Sequence, residues 1–379
     1  MLIEQKIWTS KSSAWKILKS FSSPAKAHLV MVFGSTKIFK NEMLMSEVKA
    51  FYPDAIFIGC STSGEIATAF IEDESVVCTA IHFEKSTVKT TCVAVDSSTE
   101  SVKAGEQLMS QIPTENLKHI FVLSEGLNIN GTKLVEGMQN KLPPSVNVTG
   151  GLAGDGANFQ ETFLLSEKGV GKNKIVAVGI YGNDFKVGYG SFGGWDIFGV
   201  ERLVTKSESN VLFEIDNSPA LSLYKSFLGE QSAQLPSSGL LFPLSVRTQS
   251  SEEPVVRTIL AIDEANQSLT FAGDIPEGSY VKLMKANVDH LVDGANTAAK
   301  RAKETLGIAE PELAILVSCV GRKLVMKQMA EEEIEAVQEV LGDATITGFY
   351  SYGEIAPFAK GGKCSLHNQT MTVTVFSEK

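Results

Sequence analysis

Two stretches of this 379-residue chain, Gly59-Cys-Ser-Thr-Ser-Gly-Glu-Ile-Ala67 and Gly348-Phe-Tyr-Ser-Tyr-Gly-Glu-Ile-Ala356, align without a gap. They share both glycines and the Glu-Ile-Ala that follows. A repeated tetrapeptide alone is expected about once by chance in a chain this long. The context gives the match its weight, because the same strand–helix–strand order precedes both copies. Gly150-Gly-Leu-Ala-Gly-Asp-Gly156 holds the equivalent place in a middle passage, with different letters. The chain therefore reads as internal pseudo-repeats.

The elements follow from periodicity. His28–Phe33, Ala55–Cys60, His119–Leu123, Val146–Thr149, Pro311–Ser318 and Thr345–Phe349 are short apolar runs, the pattern of buried strands. Helical spacing covers Ile38–Phe51, Thr99–Ile112, Thr132–Lys141, Asn287–Leu306 and Ala330–Leu341. Val76–Phe83 with Val88–Val95, and Val255–Ile262 with Leu269–Ala272, read as antiparallel hairpins. Residues 1–26 read as a leading segment without regular structure. The expected fold class is α/β: mixed, largely antiparallel sheets covered by helices, with internal pseudo-repeats, in two lobes. The lobe boundary is expected near 216–225, giving domains 28–220 and 221–377.

Charge narrows the partners. Thirty-four basic against 44 acidic residues leave a net charge of −10, spread along the chain. An acidic surface disfavours nucleic acid and anionic lipid, and no basic–aromatic stretch offers a stacking platform. No apolar run reaches the roughly 20 residues that span a bilayer, and no leader peptide is visible. Five widely spaced cysteines without a Cys-x-x-Cys suit buried thiols in a reducing compartment. Cytoplasmic location is the expectation.

Candidate chemistry gathers at the second copy of the repeated loop. Glu354 is flanked by Tyr350 and Tyr352, which offer ring faces and hydroxyls to a ligand. Glu354 itself either meets a ligand or satisfies backbone donors of its own turn, whereas Glu65 reads as architecture. Arg322 follows a buried strand and Gly321; its fork suits a ligand carboxylate or a carboxylate on a neighbouring helix. Enzyme motifs fail. Gly188-Tyr-Gly-Ser-Phe-Gly193 fits Gly-x-Gly-x-x-Gly but leads into no helix, so it lacks the phosphate-cradling geometry. A hydrolase or transferase using Cys319 or Ser318 stays open as an alternative of another class, and no histidine spacing points to a metal.

Six strings in order then resemble the FIST family of bacterial sensory proteins: Gly150–Gly156, Pro254–Thr258, Phe271–Gly278, Ser318–Arg322, Gly348–Pro357 and Leu366–Thr370. The resemblance spans FIST N-like and FIST C-like parts over roughly residues 28–377. It implies a stand-alone cytoplasmic sensor that binds a small ligand, an amino acid or similar metabolite, and signals through a separate partner. A histidine kinase is one such partner. The family also implies an alternative, a haem-binding nitric oxide sensor regulating a histidine kinase. Haem would then be the cofactor, with His367 and His290 as axial candidates. The ligand-binding set expected here is Arg322, Tyr350, Tyr352, Glu354 and His367.

Overall fold

Leu29–Gly34, Leu117–Ser124 and Leu313–Cys319 are buried along nearly their whole length, so each is a strand covered on both faces. In the computed structural model, which describes residues 1–248, 254–357 and 361–379, these three strands head three equivalent units. A second strand returns parallel to each: Ile56–Ser61, Asn147–Leu152 and Thr345–Ser351. A third closes each unit, antiparallel on the other side of the first: Ser75–His82, Lys174–Tyr181 and Met371–Ser377. The fold is mixed α/β with mostly antiparallel pairing, and its pseudo-repeats number three.

Between its second and third strands each repeat extends a short hairpin that pairs with another repeat. Glu65–Ala67 joins Thr345–Ser351, Leu164–Ser166 joins Ile56–Ser61, and Gly353–Pro357 joins Asn147–Leu152. The register is the same at each crossing: Ile66 faces Gly348, Leu165 faces Gly59 and Ile355 faces Gly150. Each sheet is thus completed by a neighbour, and the exchange closes on itself.

Alternation along the first strands divides their side chains between two kinds of core. Met31, Phe33, Phe121, Leu123, Ile315 and Val317 meet in one core shared by all three repeats. Val30 and Val32, Ile120 and Val122, Ala314 and Leu316 face outward, into three separate cores under the helices. The parallel pairs approach closely at one point each. A Cβ on Gly59, Gly150 or Gly348 would lie 2.1, 1.8 or 2.0 Å from the carbonyl oxygen of Val32, Val122 or Leu316. Glycine is required there by space.

A fourth sheet, built from strands between Asp196 and Lys285, is inserted between Lys186–Phe192 and helix Val288–Leu306 and has its own core. Asn287 caps that helix, its side chain accepting from the Asp289 N–H. The helix lies against Lys186–Phe192, where a Cβ on Gly188 or Gly190 would meet the carbonyls of Ala302 or Ala298 at 2.1 and 2.3 Å. The Gly-x-Gly-x-x-Gly string therefore serves helix–strand packing. Among the described residues no helix is long and apolar enough to cross a membrane.

Three expectations are corrected. Residues 1–26 contain strands Leu2–Thr9 and Ala14–Lys19 at the edge of the first sheet. Their alternation is masked because the buried face includes Gln5, whose amide donates to Thr79 Oγ1 and the Ile346 carbonyl. Ser75–His82 and Thr87–Ala94 are strands of different sheets, because both flanks of the former are already taken. Val255–Arg257 pairs with Leu244–Arg247, leaving Ile259–Asp263 to pair with Ser268–Phe271.

Candidate functional site

In α/β sheets, loops leaving the carboxyl ends of parallel strands are the usual seat of ligand sites. In the second repeat these loops follow Leu117–Ser124 and Asn147–Leu152. The inserted sheet meets them across a cleft of about 200 Å³. The two loops themselves run close together: a Cβ on Gly126 would sit 2.1 Å from the Ala153 carbonyl oxygen. Helix Gly131–Gln139 starts at the cleft. Asn130 caps it, accepting from the Lys133 N–H at 3.1 Å, and donates to Asp274 of the inserted sheet at 2.8 Å.

Tyr352 forms the opposite wall. Its hydroxyl donates to the Asp155 carboxylate and accepts from the Phe159 N–H at 3.2 Å. Burial, reinforced by that carboxylate, holds the phenol above its ordinary range. The Asp155 carboxylate also accepts from the N–H groups of Phe159, Gln160 and Glu161 at 2.8, 2.9 and 2.9 Å. Its charge is spent inside its own loop. The Phe159 ring lies flat on Tyr352, centroids 4.4 Å apart and planes 12° from parallel. No Lys, Arg, Asp or Glu lines this cleft among the described residues.

A larger cleft, about 680 Å³, lies near the amino ends of the third sheet's parallel strands, among Lys19, Lys303, Glu310, Glu312, Glu339 and Asp343. Volume alone would select it. Topology does not, since strand amino ends carry no converging loops of the kind that builds sites. A third, about 270 Å³, lies beside Trp195 and Thr370.

Of the five expected contacts, Tyr352 lines the cleft and the others are enclosed. Arg322 is fully buried and grips Glu333, on helix Ala330–Leu341, through Nε and Nη2 at 3.0 and 2.7 Å. Its remaining donors reach the Leu291 and Gly193 carbonyls. Tyr350 and Ser318 hydroxyls complete the network, donating to the other Glu333 oxygen at 2.7 and 2.9 Å. Glu354 accepts from the Ser351 hydroxyl at 2.7 Å and from the Thr370 N–H and hydroxyl at 3.1 and 2.9 Å. Burial pushes its carboxyl up to about 8. His367 lies across the strand pair from Glu354, and its Nε2 donates to the Ala356 carbonyl at 2.7 Å. Burial holds its imidazole down to about 4, so it is neutral at physiological pH.

Of the two haem candidates, His367 is buried with Nε2 committed to a carbonyl, and His290 donates from Nδ1 to Asp196 at 2.6 Å, a bond that does not use its Nε2. Neither histidine lines the clefts described here. Cys319 is buried, and burial raises its thiol well above the ordinary value, opposite to what a nucleophile needs. Among the described residues no group of three His, Cys, Asp or Glu side chains is placed to hold a metal. Sequence reasoning missed Asp155, Phe159 and Asn130. The Gly-Asp-Gly of the middle passage was the available signal for Asp155. Nothing local marks Phe159.

A FIST N domain matches residues 28–218 and a FIST C domain residues 220–357. The division falls inside the inserted sheet, between strand Val211–Ile215 and helix Ala220–Leu228. An uncharacterised protein of Methanocaldococcus jannaschii is 25% identical over 358 residues, spanning 83% of this chain and 67% of that protein. One from Mycobacterium tuberculosis is 23% identical over 263 residues, 68% of this chain and 67% of its own. A crystal structure of cyanuric acid hydrolase from A. caulinodans aligns at 12% identity over 77% of this chain and 99% of that one. Its TM-score is 0.18, too slight a likeness to bear on the fold.

Proposed function

The chain belongs to the FIST family, and on that premise we propose that it is a sensor whose small ligand enters the cleft between the inserted sheet and the second repeat. FIST domains are associated with sensory signalling and ligand binding. The observation that carries the reading is the make-up of the cleft. Gly126 and Phe159 come from the FIST N match, Leu260, Gly273 and Tyr352 from the FIST C match. A ligand there touches both parts at once, and its binding energy favours whichever arrangement of the two encloses it best. A metabolite of amino-acid size suits the volume. The family resemblance supports a separate signalling protein, such as a histidine kinase, as the receiver. Four buried thiols among five free cysteines support a reducing, cytoplasmic setting.

The test is a thermal-shift screen of small metabolites on the wild type and on Ala272→Phe, which adds a ring to the cleft wall. A ligand of this cleft raises the Tm of the wild type and raises that of Ala272→Phe much less, circular dichroism showing that the variant is folded. No shift with any compound, or equal shifts in both proteins, would rule this cleft out.

A further inference from the structure

Phe159 is the one bulky residue of the cleft wall whose backbone is in the left-handed region, at φ +54°. A side chain with a Cβ adopts that conformation at a cost. Phe159 is also 40% exposed, so its ring is only partly buried and stays within reach of solvent. Three interactions hold it: its N–H is shared between the Asp155 carboxylate and the Tyr352 hydroxyl, and its ring lies on Tyr352. The loop is thus built to deliver a flat apolar ring onto the Tyr352 face.

We propose that Phe159 is a resident stand-in, and that the ligand of the cleft is an uncharged planar ring compound that takes its place on Tyr352. The proposal rests on the cleft being the sensory site and adds the chemistry of what enters it. Stacking on Tyr352 at the observed spacing rewards a flat π-system. Asn130 is spent on its cap and on Asp274, and Asn210 Nδ2 donates to the Phe271 carbonyl at 2.8 Å, which leaves the Asn210 side-chain oxygen as the acceptor at the edge of such a ring. A zwitterion is disfavoured, because no charged side chain lines the cleft among the described residues and Asp155 is already satisfied by three N–H groups. Displacing Phe159 also releases the left-handed backbone, so ligand occupancy reshapes the exposed loop after Asp155.

Calorimetric titration of the full chain with adenine, indole and nicotinamide, and with alanine and glutamate as charged probes, tests this. At least one ring compound should bind the wild type and bind Phe159→Ala more tightly, on the order of tenfold, because the competitor is gone. Tyr352→Leu should lose that binding and Tyr352→Phe should keep it. If Tyr352→Leu does not fold, the Phe159→Ala comparison still decides. Unchanged or weaker ring binding in Phe159→Ala overturns the stand-in. Alanine or glutamate binding that Ala272→Phe abolishes, with no ring compound bound, overturns the ligand class and leaves the sensory cleft standing. No binding by any of the five probes, even to Phe159→Ala, also overturns the ligand class, and the sensory cleft is then judged by the metabolite screen.

Discussion

Glu65 and Glu354 hold the same place in two of the three exchanged hairpins and are caged in the same way. One oxygen of each accepts a hydroxyl three residues upstream, from Thr62 or Ser351. The other accepts the N–H and hydroxyl of a residue beginning or immediately preceding the repeat's closing strand, Ser75 or Thr370. The third hairpin has Leu164 at this place. The carboxylates tie each lent hairpin back to the repeat that lends it, and both are architecture.

Burial pushes the Glu65 carboxyl up to about 7 and that of Glu354 up to about 8, against about 4.3 in an unfolded chain. Between these values the folded protein keeps protons that the unfolded chain has released. Stability therefore falls as pH rises toward 8 and levels beyond it. His119 and His367, held down to about 3 and 4 by burial, act in the opposite sense below about 6.5. In the window from pH 6.5 to 8 the histidines drop out. The Met1 amino group, which burial lowers but its bonds to Glu84 and Glu312 raise on balance, adds to the glutamates only toward the upper end, so the Glu354→Gln comparison singles out Glu354. Tm should drop across this window in the wild type and drop less in Glu354→Gln; a Tm that is flat or rises there would refute the assignment.

The Arg322–Glu333 pair should behave as a buried ion pair whose loss of one partner is worse than the loss of both. Arg322→Met or Glu333→Leu alone should cost about 3–5 kcal/mol by denaturant unfolding. The double variant should cost less than either single one. Strict additivity would mean that the charges do not interact.

Gly348 and Gly278 separate two reasons for glycine. Gly348→Ala drives a Cβ to 2.0 Å from the Leu316 carbonyl, where neither parallel strand can give way. It should cost about 4 kcal/mol or more, or prevent soluble expression. Gly278 has φ +78° with nothing within 4 Å of the added atom. Gly278→Ala should cost only about 1 kcal/mol, from backbone strain. Chemical denaturation of both variants checks the ranking.

Thiol labelling at pH 8 reads the packing directly. Cys60, Cys78, Cys319 and Cys364 are buried, and burial raises each thiol; Cys92 is half-buried. Ellman's reagent should modify Cys92 quickly in the native protein and the other four only in denaturant. Fast labelling of Cys319 in native protein would revive a nucleophile there.

The sequence carried the local structure well where the signal is local. Asn287 and the apolar stripe after it fix helix Val288–Leu306, cap included, because capping and 3.6-residue periodicity act over a few turns. The buried first strands and the mixed α/β class were legible for the same reason. The leading strands were hidden by a polar residue, Gln5, buried where its amide finds Thr79 on the neighbouring strand and the Ile346 carbonyl of the third repeat.

What the sequence determined by itself is a chain of repeated strand–helix–strand units with Gly-Glu-Ile-Ala at two equivalent loops, and its family. Tertiary structure alone decided which partner each unit takes. Strands of three residues, such as Glu65–Ala67, carry too little pattern to choose a register, so the sheet that receives them chooses it. The same holds for the side chains read as ligand contacts. Whether Arg322 meets a ligand or Glu333, and whether Tyr350 and Tyr352 line a cleft or a core, depends on elements far away in sequence. Packing answered by enclosing four of the five and leaving Tyr352 at the cleft, under Phe159.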